Sequence, residues 1–373
     1  MLRKALVIIA VFFFPMISLW AQDPGSYMRP ATILHTMKRV ADWQIKEFRA
    51  GRNPYVKNEW EDASLYTGVA ELSRLIDGEE YYRWLYDIGE GNGWQTGVHR
   101  LFADDYCVGQ MYSLLFMKYK EPKMIGNFRG QGDTIVARSF TESLAFKNKV
   151  YYHEWAWCDA LYMGPPALAY LSTATGDGRY LKKADTLWWK TSDYLYNEEE
   201  RLFFRDSTFF DLREANGKKV FWSRGNGWVM GGLVRMMENM PPGYPGRKRF
   251  ETQFRQMAAR IAELQQADGS WHSSLLDPGT YNIRENSGTG FFCYALTWGI
   301  RHGLLSRKKY FPVVQRAWAE MVSSVHEDGK LGYVQAISDR PDKVDFQSTN
   351  VYGVGAFLLA GCELYRLNGG TGR

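Results

Sequence analysis

The stretch Cys158-Asp159-Ala160-Leu161-Tyr162-Met163-Gly164-Pro165-Pro166-Ala167-Leu168-Ala169-Tyr170-Leu171-Ser172-Thr173 is apolar on every helical face, and its only charge is Asp159 near the start. A helix of that kind must be buried on every side. A short turn, Gly176-Asp177-Gly178, separates it from residues 179–197, where charges gather on one face. The pair therefore reads as one buried helix followed by one amphipathic helix. The same alternation runs through the chain. Amphipathic segments are expected at 30–49, 78–90, 121–144, 179–197, 247–267 and 308–324. Segments apolar nearly all round are expected at 62–75, 105–119, 158–173, 226–239, 286–304 and 349–367. Apolar residues at the 3.6-residue period dominate, and strand signals are few. Six buried helices alternating with six amphipathic ones close naturally into a double ring. The expected fold is all-α, an (α/α)6 barrel over residues 22–373; an open α-solenoid is the competing arrangement.

The chain has 373 residues, of which 45% are hydrophobic and 23% charged, a composition that excludes disorder and fibrous repeats. The net charge of +5 (46 basic minus 41 acidic) is too mild and too dispersed for a dedicated nucleic-acid binder. Aromatic residues stand out: 23 Tyr, 21 Phe and 14 Trp exceed what a core needs, and flat apolar faces are what sugar rings stack on. Met1-Leu2-Arg3-Lys4, the apolar run Ala5–Trp20 and Ala21-Gln22 have the order of a secretory signal. Residues 1–21 are thus expected to be cleaved near Ala21, with export to the periplasm or the medium and no membrane span. Cys107, Cys158, Cys293 and Cys362 lie singly in apolar stretches and are expected to be buried free thiols. The six His show no metal-ligand spacing, which argues against a zinc hydrolase. A monomer or weak homo-oligomer is expected.

The unusual residues lie just before the buried helices. They include Glu59-Trp60-Glu61-Asp62, Asp104-Asp105, His153-Glu154-Trp155-Ala156-Trp157-Cys158-Asp159 and Trp222-Ser223-Arg224-Gly225-Asn226-Gly227-Trp228. In a toroid all inner helices point one way, so these connections gather at one mouth, where loops on a rigid scaffold carry chemistry. Asp104, Asp105 and Asp159 are each read either as helix N-caps or as carboxyls whose acidity an apolar setting would weaken. Arg224 is read either as a fork for a carboxylate ligand or as half of a structural ion pair, with Gly225 and Gly227 permitting a tight loop. His153 is expected to be a surface or structural residue.

Ala103-Asp104-Asp105 with Gly109-Gln110, Trp157-Cys158-Asp159-Ala160-Leu161-Tyr162-Met163-Gly164-Pro165-Pro166 and the 221–228 string together resemble glycoside hydrolase family 105. These are the unsaturated rhamnogalacturonyl hydrolases, close to the unsaturated glucuronyl hydrolases of family 88. The likeness spans about residues 30–367. It implies an (α/α)6 barrel that removes a 4,5-unsaturated uronate from the non-reducing end of lyase-cut oligosaccharides, most simply of the rhamnogalacturonan type found in pectin. It implies Asp159 as general acid and base, assisted by Asp104 or, as the preferred choice, Asp105, with Trp222, Arg224 and Trp228 lining the sugar and carboxylate site. Asp104, Trp60 and Trp157 complete the expected substrate contacts. Relatives carry a His after the fourth outer helix where this chain reads Phe203-Phe204-Arg205-Asp206-Ser207, so Arg205 is expected to take over that contact.

The chemistry implied is hydration of a vinyl ether. An acid protonates C4, positive charge develops at C5, water adds there, and the hemiketal opens and expels the neighbouring sugar. One carboxyl that gives and then takes a proton suffices, and no metal or organic cofactor is called for. An ordinary glycosidase instead divides the work between two carboxylates at a set spacing. The alternatives are an inverting glycosidase on a saturated glycan, a non-catalytic glycan-binding toroid and a polysaccharide lyase.

Overall fold

The computed structural model describes residues 26–370, so the segment read as an export signal lies outside the described residues. Twelve helices alternate in burial. The outer ones are α1 (Pro30–Arg49), α3 (Glu79–Gly91), α5 (Lys123–Ala137), α7 (Gly178–Leu195), α9 (Arg247–Glu263) and α11 (Arg307–Ser323). The inner ones are α2 (Trp60–Ile76), α4 (Gly109–Tyr119), α6 (Ala160–Thr175), α8 (Ser223–Glu238), α10 (Asn286–Arg301) and α12 (Val351–Leu367). Each inner helix packs on the next, and α12 packs on α2, so the ring is closed rather than an open solenoid. The outer helices α3, α5, α7, α9 and α11 lie on the inner helices that precede them, and α1 lies on α12. Strand pairing among the described residues is limited to β1 (Tyr196–Asn197) against β2 (Leu202–Phe203) and a few single bridges.

Closure depends on small residues. A Cβ added at Gly68 would lie 2.5 Å from the Gly355 carbonyl oxygen, and one at Gly355 would lie 2.3 Å from that of Ser64. The backbones of α2 and α12 touch there, and a larger residue at either position would hold the ring open. Within α6, Leu161, Leu168 and Leu171 are fully buried. Each is worth roughly 1.5–3 kcal/mol over exposure. Pro166 lies inside the same helix and cannot donate to the Tyr162 carbonyl. That carbonyl instead accepts from Gln110 Nε2 of α4 at 3.0 Å, so the helix break becomes an inter-helix tie. All four cysteines are free and buried.

Several boundaries differ from the periodicity by three or more residues, and two of them bear on the site. The third outer helix ends at Ala137, with Arg138 already extended, rather than continuing to 144. Lys190 Nζ donates to the carbonyls of Phe140 and Glu142, which favours a loop there over another helical turn. The fourth inner helix begins at Ser223, so Ser223–Trp228 forms its first turns and not a tight loop. Gly225 and Gly227 serve helix packing: Cβ atoms there would lie 3.1 Å from Cys158 Sγ and 3.2 Å from Phe291 Cβ.

Candidate active site

Connections into the inner helices are long: 50–59, 92–108, 138–159, 196–222, 264–285 and 324–350. Connections out of them are short: 77–78, 120–122, 176–177, 239–246 and 302–306. The long ones share one mouth of the ring and enclose a cavity of about 440 Å³, lined by Trp60, Asp104, Trp157, Asp159, Met163, Arg205, Trp222, Arg224, Ile337, Ser338 and Asp339. A larger groove of about 780 Å³ runs between α7 and α9 outside the ring. Its charges include Arg249 and Asp193, which form an exposed ion pair of the ordinary surface kind.

Asp159 immediately precedes α6 and leaves 14% of its side chain open. Burial raises its carboxyl above the usual range, against the pull of Arg205 and then Arg224. Cys158 Sγ donates to Oδ2 at 3.4 Å. Arg205 reaches it because Trp157 and Asp206 form an antiparallel bridge and the Cys158 N–H donates to the Arg205 carbonyl at 2.8 Å. Arg205 Nε then lies 3.7 Å from Asp159 Oδ2, while Asp206 anchors Nη1 at 2.7 Å. Asn226 fixes the neighbouring β2 by bonding both the N–H and the carbonyl of Phe203.

Asp104 and Asp105 share the 3-10 turn Ala103–Tyr106, in which successive side chains point about 120° apart, so one of them can face the cavity. That one is Asp104. Its Oδ1 is buried without a hydrogen-bond partner. Burial, then the charge of Asp159, drives its carboxyl well above the usual range. Asp105 is turned away: it accepts from the His99 N–H, and its Oδ2 lies 3.3 Å from His99 Nδ1. Of the two candidate assistants, Asp104 and not the preferred Asp105 lines the cavity. Glu61, beside Trp60, is a further buried carboxyl with an unpartnered Oε2, and burial pushes it up to about 7.

Arg224 also departs from expectation. Its guanidinium lies between the rings of Trp222 (4.4 Å) and Tyr352 (4.7 Å). Each terminal nitrogen donates to one backbone carbonyl, Nη1 to Gln335 at 2.8 Å and Nη2 to Ala336 at 2.9 Å, while the buried Nε has no partner. The guanidinium thus clamps a loop while it lines the cavity. Trp228 lies beneath the cavity, edge-on to Trp60 with centroids 6.1 Å apart and packed on Phe291 at 4.5 Å, so it supports the floor and does not line it. Trp60 stacks on Tyr352 and Trp157 on Phe102, which fixes two aromatic walls. His153 is exposed, away from the cavity. Sequence reading missed Met163, the rim segment Ile337–Asp339 and Gln335 beneath it. An irregular loop has no periodicity to expose such residues.

A closed helical toroid with two buried carboxyls, an arginine and aromatic walls in one cavity has the constitution of a carbohydrate-cleaving enzyme. The model of Glycosyl Hydrolase Family 88 matches residues 36–368, and the chain belongs to that family of glycoside hydrolases. It is 38% identical over 323 residues to an unsaturated 3S-rhamnoglycuronyl hydrolase of Formosa agariphila, covering 83% of this chain and 85% of that protein. A solved family 88 glycosyl hydrolase from Bacteroides vulgatus superposes with a TM-score of 0.82 at 29% identity, covering 91% of this chain and 99% of that one. A structure described as a polysaccharide lyase superposes with a TM-score of 0.81 at 30% identity, covering 90% and 97%.

Proposed function

We propose that the protein hydrolyses the bond between a terminal 4,5-unsaturated uronate and the next sugar, with rhamnose as that next sugar. The observation that carries the reading is the placement of Asp104 and Asp159 in one cavity with Arg205, where burial raises both carboxyls above their usual range. A carboxyl of weakened acidity suits a reaction that begins with proton transfer to carbon. In this reading Asp159 protonates C4, and Arg205 and Arg224 keep it ionisable enough to release that proton. Positive charge then develops at C5 next to the carboxylate Asp159 has become, which stabilises it. The same carboxylate takes a proton from the water that adds to C5. Asp104, whose acidity burial weakens, hydrogen-bonds a substrate hydroxyl. Arg205, whose buried Nε has no hydrogen-bond partner, meets the uronate carboxylate. Trp60, Trp157 and Trp222 bracket the ring.

The rhamnose assignment is supported by the Formosa relative, an unsaturated 3S-rhamnoglycuronyl hydrolase. That activity makes a pectic origin of the substrate one option among rhamnose-containing glycans. Export remains our proposal from the order of charges, apolar run and small residue at 1–22. Ultraviolet absorbance of the unsaturated uronate, followed on lyase-generated rhamnose-containing oligosaccharides, tests the reaction. Hydration removes the band. A lyase, the reading that the 0.81 superposition would favour, creates it on uncut polymer.

A further inference from the structure

The cavity that holds Asp159 is also lined by Ile337, Ser338 and Asp339. Ile337 is 50% exposed, whereas Trp222 and Arg224 deeper in the same cavity are 2% and 1% exposed. An enzyme acting on a chain end places the terminal ring deepest, so the rim meets the sugar that leaves. An isoleucine held half in water at that position gives the leaving sugar an apolar contact.

The segment is held from beneath by Gln335, itself 1% exposed. Its Oε1 accepts from Trp222 Nε1 at 3.0 Å and from Ser273 Oγ at 2.7 Å, and its Nε2 donates to the Arg340 carbonyl at 2.8 Å. Its carbonyl accepts from Arg224 and from the Tyr352 hydroxyl, and its N–H donates to Glu285 Oε1 at 3.1 Å. The inner helices α8, α10 and α12 thus converge on one amide, which uses its side-chain donor and acceptor and both backbone groups. A buried network satisfied in this way fixes one geometry.

We infer that Ala336–Asp339 is the subsite for the leaving sugar, that Ile337 selects a 6-deoxy sugar by packing on its C6 methyl, and that Gln335 is the positioning residue that holds Ile337 there. The inference rests on the proposed function. A hydroxymethyl group at C6 would set a hydroxyl against the isoleucine and lose its water.

The test compares kcat/KM on two unsaturated disaccharides that differ at C6 of the leaving sugar: uronyl-rhamnose and its counterpart carrying CH2OH. The wild type is expected to prefer the deoxy substrate by about tenfold, the lower end for one group in an apolar contact because the residue is half-exposed. Ile337→Ser, a change at the surface that leaves the fold alone, is expected to reduce that preference at least threefold, mainly through KM. Gln335→Met is expected to lower the preference although Ile337 is still present. No preference in the wild type, or a preference that survives Ile337→Ser, overturns the subsite. A preference unchanged in Gln335→Met, with only the melting temperature reduced, overturns the positioning role. Turnover of neither disaccharide by the wild type overturns the underlying reaction, and the subsite with it.

Discussion

The two ends of the ring bury carboxyl groups among different partners. At the end with short turns, Glu71 of α2 pairs with Arg74 at 2.8 Å and Arg366 at 3.3 Å. Glu363 of α12 pairs with Arg301 at 2.7 Å and with Arg366 at 2.7 Å. Burial pushes the Glu71 carboxyl up, but Arg74 and Arg366 outweigh it and hold the group below its usual range. Glu238 at that end goes the other way, to about 7, through burial and the charges of Glu71 and Glu363. At the mouth, Asp104 has no cation of its own, and Asp159 has Arg205 at 3.7 Å, an arginine already committed to Asp206. Both mouth carboxyls stand above their usual range. The scaffold is the same; pairing separates a structural carboxyl from a reactive one.

The largest expected effect is at the mouth. Asp159→Asn is expected to lower kcat by 10²–10⁴-fold or more, since one group serves as acid and then as base. Its thermal unfolding should match or exceed that of the wild type. A variant that keeps a tenth of the activity would contradict the role. At the opposite end, Glu363→Ala is expected to cost about 3 kcal/mol by denaturant titration, the low end for breaking a buried pair because both arginines keep some water. Its kcat per folded molecule should be unchanged, and a fall in kcat without a fall in stability would erase the distinction between the ends.

Asp104→Asn is expected to reduce activity yet raise the melting temperature at pH 8, by roughly 2–4 °C. The sign follows from the raised pKa. The native state binds a proton that the unfolded chain has already released, so the wild type loses stability as pH rises from the ordinary carboxyl range through the folded pKa. The asparagine does not titrate, so its advantage should grow from pH 4 to pH 8. A constant difference across that range would mean that Asp104 is charged throughout. The smallest effect is a shift in the pH profile. Activity needs protonated Asp159 and falls as pH rises through its raised pKa. Arg205 opposes that rise, so Arg205→Met should move the alkaline limb to higher pH, together with a higher KM.

The ring was legible in the sequence because burial on all faces is a property of single helices, visible in α6 without knowledge of its neighbours. Closure was less so: it depends on Gly68 meeting Gly355, residues far apart in the chain. At the site, Trp60, Asp104, Trp157, Asp159, Arg205, Trp222 and Arg224 do line one cavity. Which member of the Asp104-Asp105 pair faces inward was not readable, since a 3-10 turn and an α-turn point consecutive residues differently. Arg224 lines the cavity as its residue type suggests, but its hold on the Gln335 and Ala336 carbonyls was not readable, because those partners lie more than 100 residues away in the chain. The rim at 337–339 has no motif at all, and its place comes from the residues that hold Gln335.

The central claim is that Asp159 transfers a proton to carbon. It is tested most directly by running the reaction on an unsaturated uronyl-rhamnose oligosaccharide in deuterated water and analysing the released acid at early time points. The account predicts that the ultraviolet band disappears at the rate of sugar release and that deuterium is found at C4 of the keto acid. Release of an unsaturated monosaccharide that still absorbs and carries no deuterium at C4 would contradict it.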